Sequence, residues 1–265
     1  MRGAAIVLLG AILLALVCAD WVAPHPYQAQ FRDDPLAPPS AKFPLGTDAL
    51  GRDRLSRLLY GGRISMVMAP LAALLAVALA LLAGLVAGCL GGWWERAAAL
   101  VTDLCLSLPW IFLLLAVRAL LPLNVGAEAS VLTTFGLLGL LGWAGPSRII
   151  LAAVKRQLAS DFVLAARAAG CPLWRIALVH VLPHLIPVAS AQFWVTAPAF
   201  LLSEANLGLL GLGVEEPMPS WGNLLRELEN LPQVVQTPWI AAPLVALVLV
   251  AGCAHLASTA KEYQT

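Results

Sequence analysis

The residue types that most often carry out chemistry are sparse in this sequence, and their spacing forms no reactive group. His180 and His184 stand four residues apart, the spacing at which two imidazoles on one helix can share a metal ion. No acidic residue directly follows His180, Pro183 disturbs the intervening turn and no third ligand stands nearby, so we predict no metal site. The cysteines show no CxxC pattern and are interpreted as small buried apolar side chains: Cys18, Cys89, Cys105, Cys171 and Cys253.

The sequence also lacks a phosphate-binding loop. Its lysines are Lys42, Lys155 and Lys261, and none of them follows a glycine as that loop requires. No nucleophile stands with a base, so we predict that the chain is not an enzyme. Any ATP hydrolysis linked to its function must therefore come from another chain.

Two carboxylates lie in or beside apolar runs. Asp103 sits about two turns inside a predicted span, where a charge costs roughly 2.5–3.5 kcal/mol at the membrane centre and less near the edge. A partner for Asp103 is expected, but the sequence does not identify one. Glu204 is interpreted as a carboxylate at the outer end of a helix, in preference to a proton relay.

The amino-acid composition indicates the class of protein to which these residues belong. Of 265 residues, 60% are hydrophobic and 12% charged, and the mean hydropathy is +0.85. These values are typical of an all-α membrane protein with several spans. The formal net charge of +1 gives no reason to expect a nucleic-acid partner.

Apolar runs predict six transmembrane helices, since a span needs about 20 apolar residues. They cover residues 4–19, 64–94, 97–121, 125–144, 182–203 and 239–256. The chain divides into an N-terminal helix (1–22), an extracytoplasmic segment (23–63), a core of five spans (64–256) and a cytoplasmic tail (257–265). For the first run, a cleavable signal peptide remains the alternative.

Small residues and prolines predict how these spans pack and bend. Glycines recur every four residues in the second span and every three in the fourth, which favours close helix contact: Gly84, Gly88 and Gly92, and Gly136, Gly139, Gly142 and Gly145. A short turn is predicted at Glu95 and Arg96, and Pro109 lies in the middle of the third span. Prolines are expected to bend the fifth span: Pro183, Pro187 and Pro198.

Residues 23–63 combine a proline-rich linker with an amphipathic stretch just before the second span. Leucines recur there at helical spacing, with charged residues on the other face: Leu50, Leu55, Leu58 and Leu59 against Arg52, Asp53, Arg54 and Arg57. We predict an interfacial helix on the membrane surface that leads into the second span. A dedicated substrate contact is the alternative.

Residues 161–183 interrupt the apolar runs with a short, basic, alanine-rich stretch. Alanines favour a helix with little side-chain bulk, and Gly170 followed by Pro172 ends it: Ala165, Ala166, Ala168 and Ala169. In a membrane protein, such a smooth helix between the fourth and fifth spans is suited to being held by a partner in the water phase.

Basic residues in the loops predict the orientation. Residues 147–177 contain five, whereas residues 205–238 contain only Arg226, so the former should be cytoplasmic. Counting through six spans then places both termini in the cytoplasm. Residues 23–63 carry six basic residues and would lie outside, which disagrees, although long loops translocate despite their charge.

Three sequence blocks, in order over residues 44–225, resemble the permease subunits of dipeptide, oligopeptide and nickel ABC importers. Residues 161–183 are similar to that family's EAA loop, with Ala165, Ala166, Gly170, Leu182 and Pro183 in place and Leu164 where glutamate is usual. The block from Pro44, PLGTDALGRDRLSRLLYGGRIS, matches the peptide branch, and the block from Glu204, EANLGLLGLGVEEPMPSWGNLL, does so with Glu216 in place of a proline.

The resemblance implies the transmembrane domain of a type I ABC importer in the bacterial inner membrane. Its partners would be a second permease, two ATPase subunits that bind ATP and Mg²⁺, and an extracytoplasmic substrate-binding protein. A cytoplasmic coupling helix would dock on an ATPase through residues of the 161–183 segment: Leu164, Ala165, Ala166, Arg167, Gly170, Trp174, Leu182 and Pro183.

The other two blocks supply motif residues on the outer side, to which the resemblance assigns no individual role. They are Gly46, Asp48, Gly51, Arg52, Asp53, Ser56 and Arg57, and Glu204, Gly211, Gly213, Pro219, Trp221 and Gly222. Di- or oligopeptides, or related small solutes, are the expected cargo. A secondary transporter or channel that works alone is the competing class, and few membrane-embedded charges are present to support a proton relay.

Overall fold

The computed structural model describes residues 2–121 and 126–259, so residues 260–265 of the predicted tail and residue 125 of the fourth predicted span lie outside it. Regular structure in the described residues is helical, apart from one bridge between Thr47 and Asp53. The α-helices are α1 (Arg2–Val17), α2 (Ala19–Val22), α3 (Arg54–Leu90), α4 (Gly92–Ser107), α5 (Trp110–Leu120), α6 (Ala127–Leu141), α7 (Ala144–Leu158), α8 (Asp161–Ala168), α9 (Leu173–Arg175), α10 (Leu182–Leu209), α11 (Trp221–Leu224), α12 (Leu231–Gln236) and α13 (Ala242–Thr259).

Four helical stretches are long and apolar enough to cross a membrane: Arg54–Leu90, Ala127–Leu158, Leu173–Leu209 and Pro238–Leu256. Helices α4 and α5 make a fifth if they form one span, although they are bent by 92° at the break between them. The apolar helix Gly3–Val17 is shorter than these. The described residues therefore hold four or five such spans, where the sequence predicts six.

The interfacial helix predicted before the second span is not a separate element. Helix α3 begins at Arg54 and continues without interruption to Leu90. Its first turn is capped by Asp53, whose Oδ2 accepts hydrogen bonds from the backbone N–H and the hydroxyl of Ser56. Because this cap is followed directly by an apolar helical run, the amphipathic stretch becomes the first turns of α3.

Two helix breaks differ from the prediction: one lies at another position, and the other separates two helices where one bent helix was expected. The turn expected at Glu95 and Arg96 lies at Gly91 and Gly92, whose φ angles of 63° and 54° few residues other than glycine adopt. Glu95 and Arg96 are inside α4. Pro109 does not sit within one helix, because α4 ends at Ser107 and α5 begins at Trp110. Helix α10, by contrast, runs through its three prolines as one element.

Contacts divide the chain into two compact units. One comprises Pro70–Val117 and Gly136–Ala197. Its core is a cluster of buried side chains from α3, α7, α8, the segment before α10 and α10 itself: Ala80, Ile150, Val154, Val163, Ile176, Val181 and Leu185. Gly84 and Gly88 lie against Ile150 and Val154, where a Cβ atom would approach to 2.7 and 2.4 Å, so the close packing predicted for the second span is confirmed at these two glycines. It is wrong for Gly92, which begins α4 and where a Cβ atom would meet nothing within 4 Å.

The other unit comprises Met1–Ala69, Arg118–Phe135 and Pro198–Thr265. Helix α1 packs along α13 in this unit.

The glycines of the fourth predicted span, which belong to the first of the two units from Gly136 onwards, differ from one another in their contacts. Gly139 lies against Leu75 and Ala72 of its own unit, whereas a Cβ atom at Gly136 or Gly145 would meet nothing within 4 Å.

Candidate functional site

The 161–183 segment is fixed to its unit from one side only. Val163 of α8 and Ile176 are fully buried in the cluster that also contains Ile150 and Val154 of α7. The ring of Phe162 stacks on that of His184, with centroids 5.1 Å apart, and so joins α8 to α10. The packed side holds the segment in place, and the opposite side is left exposed.

Gly170 ends α8 in the way that the sequence predicts. Its φ of +77° lies in the left-handed region, which glycine adopts without the penalty that other residues incur. The Gly170 N–H donates to the carbonyl of Arg167 at 2.9 Å, and the Cys171 N–H donates to that of Ala166 at 3.0 Å. This pair of hydrogen bonds is a Schellman motif, which satisfies the carbonyls at the end of α8 and turns the chain towards Pro172.

The predicted docking residues mostly lie on the exposed side. Leu164 is 50% and Trp174 60% exposed, values that are high for large apolar side chains. Ala165, Arg167, Gly170 and Pro183 are also exposed, whereas Ala166 and Leu182 are half-buried. The exposed charged side chains of the segment and of the end of α7 before it are mainly basic: Arg156, Arg167 and Arg175 against Asp161.

Between α9 and α10 the chain forms a six-residue π-helix, Ile176–Val181, which the sequence analysis did not predict. His180 lies in it, and a ring nitrogen of His184, Nδ1, is 2.8 Å from the His180 carbonyl oxygen. No group of three metal-ligating side chains occurs among the described residues. A π-helix in an otherwise α-helical stretch often marks a functional position.

The other two predicted blocks, residues 44–65 and 204–225, form one assembly that we call the paired motif segments. Asp48 organises the first block, because its Oδ1 accepts hydrogen bonds at 2.9 Å from the N–H groups of Leu50 and Arg52. Its Oδ2 accepts from Arg52 Nε at 2.6 Å. Gly46 and Gly51 have φ of +69° and +74° and lie close to the carbonyls of Ala37 and Phe31.

Glu216 joins the two blocks. Arg57, with 2% of its side chain exposed, contacts both carboxylate oxygens of Glu216, at 2.6 and 3.2 Å, and Arg52 Nη1 lies 2.6 Å from Oε2. Burial would raise the pKa of the Glu216 carboxyl, but hydrogen bonds and charge from Arg57 and Arg52 hold it below its ordinary value. The acceptor of both arginines is therefore one of the residues at which this chain departs from the family pattern.

Trp221 and Glu204 form the buried part of the assembly. The indole N–H of Trp221 donates to the Leu58 carbonyl at 3.0 Å, and its backbone N–H donates to Ser65 Oγ at 3.2 Å. Ser65 in turn donates to Glu204 Oε2 at 3.1 Å. Glu204 is fully buried near the C-terminal end of α10, and its position at the outer boundary of the membrane stays a prediction.

Glycines permit the close packing of the second block. A Cβ atom at Gly208 would lie 2.3 Å from the Gly222 backbone, and one at Gly213 would lie 2.7 Å from Gly208. Gly211, with φ of +74°, ends α10 in a second Schellman motif: its N–H donates to the Gly208 carbonyl and the Leu212 N–H to that of Leu207. Pro219 and Trp221 of this block are also buried.

Sequence reasoning missed several polar contacts because their partners are far apart along the chain. The partner of Asp103 is Arg148, at 3.0 Å from Nη2 to Oδ1. Arg54 pairs with Glu227 at 2.6 Å, and burial raises the pKa of the Glu227 carboxyl. Arg118 is fully buried and donates from Nε to the Leu212 carbonyl at 3.0 Å. A charged residue within the apolar run 110–121 was the available signal for it.

Comparison with known proteins identifies the family of this chain. Residues 61–258 match the model of the family described as binding-protein-dependent transport system inner membrane component. The chain is 34% identical over 251 residues to the di/tripeptide transport system permease protein DppC of Pseudomonas aeruginosa, an alignment covering 90% of this chain and 78% of that protein. It is 35% identical over 246 residues to the dipeptide transport system permease protein DppC of Escherichia coli strain K12, covering 89% and 80%.

The oligopeptide transport system permease protein OppC of Haemophilus influenzae is 29% identical over 239 residues, covering 89% of this chain and 74% of that protein. The family match covers most of the described helices, including the 161–183 segment and the second motif block. The apolar helices accord with a membrane-embedded, multi-pass transport component. The chain therefore belongs to the family of inner membrane components of binding-protein-dependent transport systems.

Proposed function

We propose that this chain is one permease subunit of an ATP-driven importer that carries di- or oligopeptides, or a related small solute, into a bacterial cell. A second permease would complete the translocation path, two ATPase subunits would bind and hydrolyse ATP with Mg²⁺, and a binding protein would deliver the solute. Its curated relatives are named as peptide permeases, which supports this class of cargo.

The observation that carries the proposal is the one-sided anchoring of the 161–183 segment. A helix of eight residues, closed by the Gly170 turn, is packed on one side and presents apolar and basic side chains on the other. Such a surface is suited to a groove on a partner protein in the water phase. Closure of an ATPase dimer would push on this helix, and α10, which follows it, would carry the movement along its length.

Leu164 gives the predicted contact a specific chemistry. In the family pattern a glutamate stands here, whereas this chain exposes an apolar side chain that Val163 and its cluster hold in position. We infer that docking uses apolar contact at Leu164 and Trp174, together with charge from Arg167. The partner groove would then be apolar where it meets Leu164 and acidic where it meets Arg167.

The proposed topology keeps six spans, with the short apolar helix α1 as the first and the bent α4–α5 pair as the third. Both termini and the 161–183 segment would then lie in the cytoplasm, and the paired motif segments would lie outside. The proposed parts remain an N-terminal span, an extracytoplasmic segment, a core of five spans and a short cytoplasmic tail.

The proposal is tested by purifying the tagged chain from detergent-solubilised native membranes and reconstituting what co-elutes into liposomes. We expect a second permease and ATPase chains in the eluate. Uptake of a labelled dipeptide should require ATP, Mg²⁺ and the binding protein.

The matched control contains the chain alone in liposomes of the same lipid. Solute uptake by the chain alone, driven by an ion gradient and indifferent to ATP, would replace the importer with a secondary transporter. ATP-dependent uptake confined to the full complex would exclude that alternative.

A further inference from the structure

Polar pairs connect α4 to α7 along one face, which we call the α4–α7 polar face. Asp103 pairs with Arg148 at 3.0 Å, and Glu95 forms an ion pair with Lys155. Next to the first pair, the hydroxyls of Thr102 and Ser147 are 3.5 Å apart. Glu95 and Asp103 are eight residues apart, so the ion pairs are separated by about 12 Å along α4.

These side chains line a cavity of about 210 Å³ within their own unit. The rest of its wall is made of small residues and one leucine: Ala83, Gly84, Ala87, Ala98, Ala99 and Leu151. A water molecule takes about 30 Å³ of liquid volume, so the cavity has room for several waters and the polar groups to hold them.

Asp103 is too exposed for a face that meets lipid, because 56% of its side chain is exposed although it lies inside the predicted third span. Its partner Arg148, 63% exposed, begins the segment 147–177 that the sequence predicts to be cytoplasmic. Ionisable residues within spans face a protein interior or a water-filled cavity, since lipid offers them no hydrogen-bond partner. The neighbouring Leu100 and Leu104 of α4 are equally exposed and apolar, as a lipid-facing surface requires.

The charges of this face balance, with two carboxylates facing two basic groups. A wall that carried charges of one sign would retain ions of the opposite sign and repel ions of the same sign. A balanced wall is suited to a solute that carries both signs, such as a dipeptide with free termini.

We propose that the α4–α7 polar face lines the aqueous route of the solute, with Asp103–Arg148 and Glu95–Lys155 as its charge-balanced wall. The identity of the solute rests on the proposed function, whereas the exposure of this face to water does not.

The test compares two neighbouring positions at the same depth of α4. Ala99 lines the cavity, whereas Leu100 is 61% exposed and does not. In a chain whose five cysteines are replaced by serine or alanine, Ala99→Cys and Leu100→Cys are treated with a charged, membrane-impermeant thiosulfonate in the assembled complex. We expect Ala99→Cys to be modified with loss of uptake, and Leu100→Cys to be protected by lipid and to retain uptake.

Equal labelling of both variants, no labelling of Ala99→Cys, or labelling that leaves uptake unchanged would each overturn the proposal. The labelling itself needs no uptake, so it distinguishes this inference from the proposed function. Failure of the unlabelled cysteine-free complex to take up peptide would count against the function alone.

A second measurement separates a charged wall from a merely structural ion pair. Arg148→Gln leaves the negative charge of Asp103 unbalanced, so uptake of an acidic dipeptide should fall relative to that of a basic one. Arg148→Gln combined with Asp103→Asn restores the balance and should return the ratio to that of the parent. If the ratio is unchanged in Arg148→Gln, or if both peptides lose uptake equally, the pair only holds α4 to α7.

Discussion

At the scale of single residues, the predicted function of the 161–183 segment depends on the backbone conformation of Gly170. The φ of +77° and two backbone hydrogen bonds fix the turn after α8, and a Cβ atom here would meet nothing within 4 Å. A substitution at Gly170 therefore acts through backbone strain and not through a steric clash. The strain would fall on the turn that follows α8, whose residues Ala169 and Gly170 are exposed.

For Gly170→Val we expect loss of uptake by the assembled complex, with normal membrane insertion. A residue other than glycine pays about 1–2 kcal/mol in the left-handed region, which lowers the population of the native turn by a factor of about 5–30. Gly170→Asn is the matched control, since asparagine adopts this conformation more readily, and it should retain most of the uptake. Wild-type uptake by Gly170→Val would remove the turn from the coupling path.

Glu216 is the second residue whose environment yields a measurable expectation. Its pKa is held below the ordinary value by Arg57 and Arg52, so the folded state favours the ionised form. The stabilisation is complete above about pH 4.3, the ordinary pKa of glutamate, and is lost as the pH falls through the lowered pKa of the folded protein.

We expect Glu216→Gln to lower the stability near neutral pH by about 1–2 kcal/mol, a modest figure because half of the Glu216 side chain is exposed to water. Thermal unfolding in detergent should show the two proteins converging as the pH falls below about 4. A gap that stays constant across this range would mean that the ionised carboxylate is not the source of the stability.

At the scale of elements, the paired motif segments show what sequence patterns reveal and what they leave out. The first turns of α3 have arginines on one face and leucines on the other, as an interfacial helix would. Arg57 of that face does not point into water, because it pairs with the carboxylate of Glu216. That carboxylate is 159 residues further along the chain, so the local pattern gives no sign of it. Periodicity distinguishes polar from apolar faces, but it does not distinguish water from a distant carboxylate.

The 161–183 segment was easier to predict because its signals are local. Alanines favour helix, and Gly170 with Pro172 marks the end of it, within a window of a few residues. The π-helix after Arg175 has no such signal, and the break at Gly91 was displaced because the nearby charges of Glu95 and Arg96 suggested a turn. Backbone conformation at glycine decided the position of that break.

The contact between the end of α10 and α11 depends on glycine and gives an element-scale prediction. In Gly208→Ala, the new Cβ atom would lie 2.3 Å from the Gly222 backbone, so one of the two segments must move. Such overpacking costs about 1–3 kcal/mol, which a denaturant titration of the purified protein should detect.

Gly136→Ala is the control, because a Cβ atom there meets nothing within 4 Å. Alanine in place of glycine in a helix interior is favourable by up to about 1 kcal/mol, so this variant should be at least as stable as the parent. Equal stabilities of the two variants would contradict the packing seen at Gly208.

At the scale of the whole molecule, the proposed assembly uses different surfaces for different partners. The exposed side of the 161–183 segment would serve the ATPase, whereas other surfaces of the chain would meet the second permease. A change confined to α8 should therefore affect one partner and spare the other.

We expect Leu164→Asp to lower the amount of ATPase that co-purifies with the tagged chain, and to leave the amount of second permease unchanged. The substitution places a carboxylate where the inferred groove is apolar, and an unpaired charge in such a contact is costly. Leu50→Asp, at an apolar residue of similar exposure outside the 161–183 segment, is the control and should leave the ATPase bound. Retention of the ATPase by Leu164→Asp would show that the groove still accepts a carboxylate.

The π-helix Ile176–Val181 also bears on how the length of this chain can vary among its relatives. A π-helical turn contains one residue more than the α-helical turn it replaces, because its hydrogen bonds run from i to i+5. Removing one residue within it would restore α-helical bonding and leave α9 and α10 in phase. Removing one from the middle of α10 would rotate everything beyond it by about 100°. Single-residue gaps in alignments of this region are therefore expected to fall between Ile176 and Val181.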